Sequence, residues 1–146
     1  MGTALVALLL ISSRALVAQT VAISGNPSAF VVNSAVAGSE PLALSNSSTT
    51  YTVNTPPSPN TKYQVTAQLN ANMPVGTTLT ATFAPTQGAT STGAIILDVT
   101  PRQMVNNVRK NYSGTAAITY QFGATVSAGV IPTTTRIVTL TITTFP

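Results

Sequence analysis

From residue 63 to 69 the chain reads Tyr-Gln-Val-Thr-Ala-Gln-Leu, an unbroken alternation of apolar and polar side chains. Successive side chains of a strand point to opposite faces, so this pattern gives one face to a core and the other to water. A helix would spread the same residues around its whole circumference. The period recurs. Residues 78–83 read Thr-Leu-Thr-Ala-Thr-Phe, and Ile118, Tyr120, Phe122, Ala124 and Val126 share one face of a longer segment. Near the end, Arg136, Val138, Leu140 and Ile142 alternate with Ile137, Thr139, Thr141 and Thr143. The β-branched Thr, Val and Ile that fill these runs suit a pleated surface and lose rotamer freedom in helices.

Turn chemistry separates the runs: Ser24-Gly25-Asn26-Pro27, Pro56-Pro57-Ser58-Pro59-Asn60, Asn72-Met73-Pro74-Val75-Gly76, Ala84-Pro85-Thr86-Gln87-Gly88, Thr100-Pro101 and Ala128-Gly129-Val130-Ile131-Pro132. The predicted strands are 20–24, 29–33, 42–45, 51–54, 62–70, 77–84, 94–99, 116–127 and 134–144. Segment 103–110 is the one stretch that could hold a short helix. Short strands with turns about every 8–12 residues predict an all-β sandwich or barrel.

The charge content narrows function. Of 146 residues, six are Lys or Arg, two are Asp or Glu, and none is His or Cys. General acids and bases, thiolate nucleophiles and zinc ligands come mainly from these types. The expectation is therefore no enzyme, no metal and no cofactor. The two carboxylates, Glu40 and Asp98, read as a turn residue and a hydrogen-bonding strand-end residue rather than as an acid–base pair. Without His there is no ordinary base for a serine nucleophile. Phosphate-loop and dinucleotide fingerprints are also missing from the sequence. The net charge of +4 is modest, and the local cluster Arg102, Arg109, Lys110 is sparse beside a nucleic-acid footprint, so no nucleic-acid partner is expected. A surface solvated by hydroxyls and amides has little electrostatic protection against self-association. Copies of the chain itself are the first partner to expect.

Residues 3–11 (TALVALLLI) form an apolar run of signal-peptide length, too short to span a bilayer, and Ala15-Leu16-Val17-Ala18 follows with small residues. The reading is a signal peptide over 1–18, a single domain over 19–146, secretion to the cell surface or beyond, and no stable membrane span. Asn46-Ser47-Ser48 and Asn111-Tyr112-Ser113 are glycosylation sequons, which makes Asn46 and Asn111 candidate acceptors in a host that modifies secreted proteins.

The end of the chain carries a resemblance. Val138, Leu140 and Ile142 alternate with Thr, and the aromatic Phe145 stands next to last. This resembles the C-termini of bacterial chaperone–usher pilus subunits, including the spore-coat-U-like archaic group, and more loosely the Thr-rich, low-charge surface filaments of other bacteria and archaea. The resemblance implies a single Ig-like Greek-key sandwich of about seven to nine strands that lacks one strand and borrows it from a neighbour. It implies Val21 and Ile23, in Gln19-Thr20-Val21-Ala22-Ile23-Ser24, as donor positions, and Val138, Leu140, Ile142 and Phe145 as the receiving or terminal strand. Phe145 breaks the phase of the other three, so a regular strand puts it on the opposite face. The function this implies is a structural subunit of a surface filament or matrix. The rival reading is a secreted binding or adhesion module for polysaccharide or an envelope partner. Tyr51, Tyr63 and Tyr120 point inward by alternation, leaving Tyr112, read as a loop residue, as that module's best exposed ring.

Overall fold

A computed structural model describes residues 18–34 and 38–146; the expected leader lies almost wholly outside them. Among the described residues nine strands form two antiparallel sheets: β1 Thr20–Ser24, β2 Leu44–Thr55, β3 Lys62–Leu69, β4 Thr77–Phe83, β5 Thr90–Ser91, β6 Ala94–Ile96, β7 Arg102–Arg109, β8 Tyr112–Ala124 and β9 Val138–Phe145. One sheet has the order β1-β2-β8-β4-β6 and the other β5-β7-β3-β9. The expected all-β sandwich is what forms.

The alternation builds the core as the period requires. Tyr63, Val65, Ala67 and Leu69 of β3 and Leu79, Ala81 and Phe83 of β4 are buried, together with Tyr51, Val53, Ile118 and Tyr120. The Tyr51 ring packs 5.1 Å from that of Phe83, and its hydroxyl donates to the Ala84 carbonyl at 2.6 Å, so the one polar atom of a buried ring is satisfied. Fully burying a side chain such as Phe83 stabilises by about 1.5–3 kcal/mol.

Where alternation fails, strands were misread. Segment 103–110 lies in β7, not in a helix. Across β3, Tyr63 and Val65 face Val108 and Val105, and Thr66 faces Gln103, so β7 carries an extra residue at two places. Bulges re-aim side chains. Here they bury Met104, Val105 and Val108 on one side and give the segment a helix-like apolar spacing. Asn107, inside the first irregular stretch, takes a left-handed φ of 56°. Similarly, 51–54 and the last two residues of 42–45 belong to the single strand β2, whose pattern is interrupted by a bulge between Asn46 and Thr49. Segment 29–33 pairs with nothing among the described residues, and the last strand begins at Val138 rather than at 134.

An immunoglobulin sandwich places strands A-B-E-D in one sheet and C-F-G in the other. By sheet position, β1, β2, β8 and β4 occupy A, B, E and D, and β3 and β9 occupy C and F. Among the described residues no strand stands in the seventh position, beside the outer edge of β9.

Candidate functional site

Two edge strands meet on one side of the sandwich. Among the described residues β1 pairs only with β2, and β9 only with β3, and the two approach each other across the gap between the sheets. The registers Val21↔Val53 and Ile23↔Tyr51 set both β1 side chains on the core-facing side. In the same way, Val138, Leu140 and Ile142 stand opposite Leu69, Ala67 and Val65. Yet this inward set is poorly covered. Ile23 is 40% exposed, while Val21, Val138 and Leu140 are half-buried; only Ile142 is buried. Phe145 pairs with Lys62 on the other face of its sheet, where it is half-buried, because it is out of phase with the rest of β9. The structure thus gathers Val21, Ile23, Val138, Leu140 and Ile142 along one open side and separates Phe145 from them. The segment 20–24 is docked in its own sheet.

Neither edge is guarded. Proteins usually blunt an edge with charge, proline, a bulge or brevity. β5 and β6 are two and three residues long, but β9 runs for eight residues (VTLTITTF) and β1 for five (TVAIS), and neither contains a charged residue or a proline.

Above these edges lies a groove of about 1180 Å³. It arises because β3 and β9 end at Leu69↔Val138, whereas β8 and β4 run on to Ala124↔Thr77. The upper inner face of the larger sheet, with Leu79, Tyr120 and Phe122, is left to be covered by the irregular segments on either side of the groove. Phe30 does part of this by stacking on Phe122, with ring centroids 5.9 Å apart. Gly25 makes the exit from β1 possible: its φ is +80°, and a Cβ there would sit 2.7 Å from the Ser48 carbonyl oxygen. Val31 and Val130 remain 65% and 98% exposed along the rims. Thr49 lines the groove with its hydroxyl buried and without a hydrogen-bond partner among the described residues. Sequence reasoning missed the groove. The available signal was the apolar run Ala29-Phe30-Val31-Val32, which was read as a strand with no partner to pair it.

The remaining candidates fall elsewhere. Asp98 accepts hydrogen bonds from the Thr100 amide at 2.7 Å and from Arg102, with which it forms an ion pair. The Arg102 hydrogen bond, then the Thr100 amide, hold its carboxyl below the ordinary value of 3.8. Glu40 Oε2 accepts the Val126 amide at 2.6 Å. Tyr112 is the first residue of β8 rather than a loop residue and is half-buried. Its ring carries the Arg109 guanidinium carbon 4.8 Å from the centroid, and its hydroxyl accepts the Gln87 amide. Asn46 sits at the β2 bulge, donating to Ser28 and accepting from the Ser48 amide. Asn111 is exposed in the turn between β7 and β8, with a φ of 49°. Among the described residues no group of three His, Cys, Asp or Glu converges, and no helix is long and apolar enough to cross a membrane. No protein-family profile, curated protein or solved structure matches this chain.

Proposed function

We propose that this chain is a secreted structural subunit of a cell-surface filament or extracellular matrix, in the manner of pilin-like subunits, and that it assembles by β-strand complementation between copies. One observation carries the reading: the uncharged eight-residue edge of β9 lies open where a seventh immunoglobulin strand would stand, with half-covered apolar side chains behind it. An incoming strand would pair its backbone with β9 and cover Val138 and Leu140 with alternate side chains. The donor is the segment Thr20–Ser24 of a second copy. Its Val21 and Ile23 already present two apolar groups at strand spacing, and in the single chain they are incompletely buried. The groove extends the acceptor beyond Val138, with Leu79, Tyr120 and Phe122 as its apolar floor.

The test is the assembly state of a chain beginning at Gln19 beside one beginning at Gly25. The longer chain forms polymers and the shorter one remains a folded monomer. Equal assembly by both removes strand donation. For the binding-module alternative, the ring offered as a sugar platform, Tyr112, is half-buried and has one face occupied by Arg109.

A further inference from the structure

At the end of the sandwich away from the groove, the β3–β7 register sets Lys62 directly opposite Arg109, and Lys110 follows at the turn. Like charges at directly opposed strand positions repel. The chain has six Lys and Arg in all, and three of them line one depression of about 350 Å³ with Asn60 and Thr61. Among the described residues no Asp or Glu side chain forms an ion pair with them. Asp98 is held by Arg102, and Glu40 by the Val126 amide. The three cations instead have neutral partners or none. Lys62 Nζ donates to Asn107 Oδ1 at 3.4 Å, and Arg109 Nη2 donates to Gln87 Oε1 at 2.8 Å. Lys110 has no side-chain hydrogen bond or ion pair among the described residues. The backbone beneath is fixed: the Thr55 hydroxyl donates to the Arg109 carbonyl at 2.8 Å, and the Asn111 amide donates to the Pro56 carbonyl at 3.0 Å. A chain this poor in charge thus gathers three of its six cationic side chains around one depression.

We propose that Lys62, Arg109 and Lys110 bind the carboxylate or sulfate groups of an acidic polysaccharide. Ammonium and guanidinium groups at opposed positions of β3 and β7 and at the turn that follows can form short charge-assisted hydrogen bonds to oxyanions. Single-stranded nucleic acid would instead call for open aromatic platforms for its bases, and the half-buried Tyr112 ring has one face taken by Arg109. This site is independent of the strand reading. It lies at the opposite end of β3 from the groove, about 23 Å away at the rise of a strand.

The test is gel retardation of the full chain by polygalacturonate, which carries carboxylates, and by dextran sulfate, with neutral dextran as the blank. The two polyanions distinguish the oxyanion. The expected result is retardation by at least one of them, relieved by salt at about 0.15 M. The double variant K62Q/K110Q weakens binding about tenfold, while R102Q/R136Q, which removes the same formal charge elsewhere, stays close to the parent. Circular dichroism checks that both variants are folded. Equal weakening by the two pairs means attraction by net charge and overturns the site. So do unaltered binding by K62Q/K110Q, no retardation at low salt, inorganic sulfate competing as well as the polymer at equal oxyanion concentration, or tighter binding of duplex DNA than of either polysaccharide.

Discussion

Removing Gln19 to Ser24 separates what β1 does for its own domain from what it does for a neighbour. Val21 is half-buried and Ile23 is 40% exposed. Full burial of such side chains is worth about 1.5–3 kcal/mol each, so together they contribute about 2–3 kcal/mol here. The five-residue ladder with β2 adds hydrogen bonds worth about 0.5–1.5 kcal/mol each, but ordering a residue costs about 1–2 kcal/mol, so the backbone offsets part of the side-chain gain. A domain of ordinary stability, about 5–15 kcal/mol, survives the deletion. The chain beginning at Gly25 therefore unfolds at a lower urea concentration by an amount equivalent to at most about 2–3 kcal/mol, keeps its β circular-dichroism spectrum, and sediments as a monomer. The parent sediments as a polydisperse series with filaments visible by negative stain. Adding the peptide Gln-Thr-Val-Ala-Ile-Ser to the truncated chain raises its midpoint again. Polymers of undiminished length from the truncated chain, or a parent that is monomeric at every concentration, refute the reasoning.

Further outcomes follow from the same geometry. Thr139 and Thr141 are exposed on the outer face of β9, so T139K/T141K guards that edge without touching the core; the variant keeps its unfolding midpoint and loses polymerisation in sedimentation, and retained polymers would point to another interface. Thr49→Val removes a buried hydroxyl that has no partner and adds a buried methyl, which raises stability by about 1–2 kcal/mol in urea unfolding; a lowered midpoint would show that the hydroxyl is satisfied. Burial raises Tyr51 and Tyr120 from 10.0 to about 12. Their neutral forms favour the folded state, so this stability is present below pH 10 and is lost as the pH rises toward 12; phenolate absorbance from these two rings appears together with unfolding, and ionisation of both before loss of the β spectrum would contradict their burial. Asp98, held low chiefly by its Arg102 hydrogen bond, favours the fold above its ordinary value and loses that effect as the pH falls through its lowered one. In acid titrations followed by circular dichroism, Asp98→Asn unfolds with a shallower dependence on pH below about 4.

Much of the architecture was legible because strand and sequence share a period of two. β1 begins and ends where its alternation and Gly25 place it, and β3 and β4 match to within a residue. Tyr51, Tyr63 and Tyr120 point inward as read. β7 was illegible for the complementary reason. Its bulges insert residues that leave no local mark, so Met104, Val105 and Val108 share a buried side at a spacing that imitates a helix. The interruption of β2 at Asn46 is the same effect on a smaller scale. The basic cluster shifted too: the sequence grouped Arg102 with Arg109 and Lys110, but Arg102 turns to Asp98, and the β3–β7 register brings in Lys62 from 47 positions before Arg109.

Local physics alone decided that this chain is pleated and nearly without charge, because side-chain chemistry and its period-two rhythm act between immediate neighbours. Which edge stays open, where the two sheets fall short of covering each other, and which cations face one another are properties of pairing between distant segments. Sheet order and register set these, and a slip of one residue would turn Val138, Leu140 and Ile142 outward without changing a single letter.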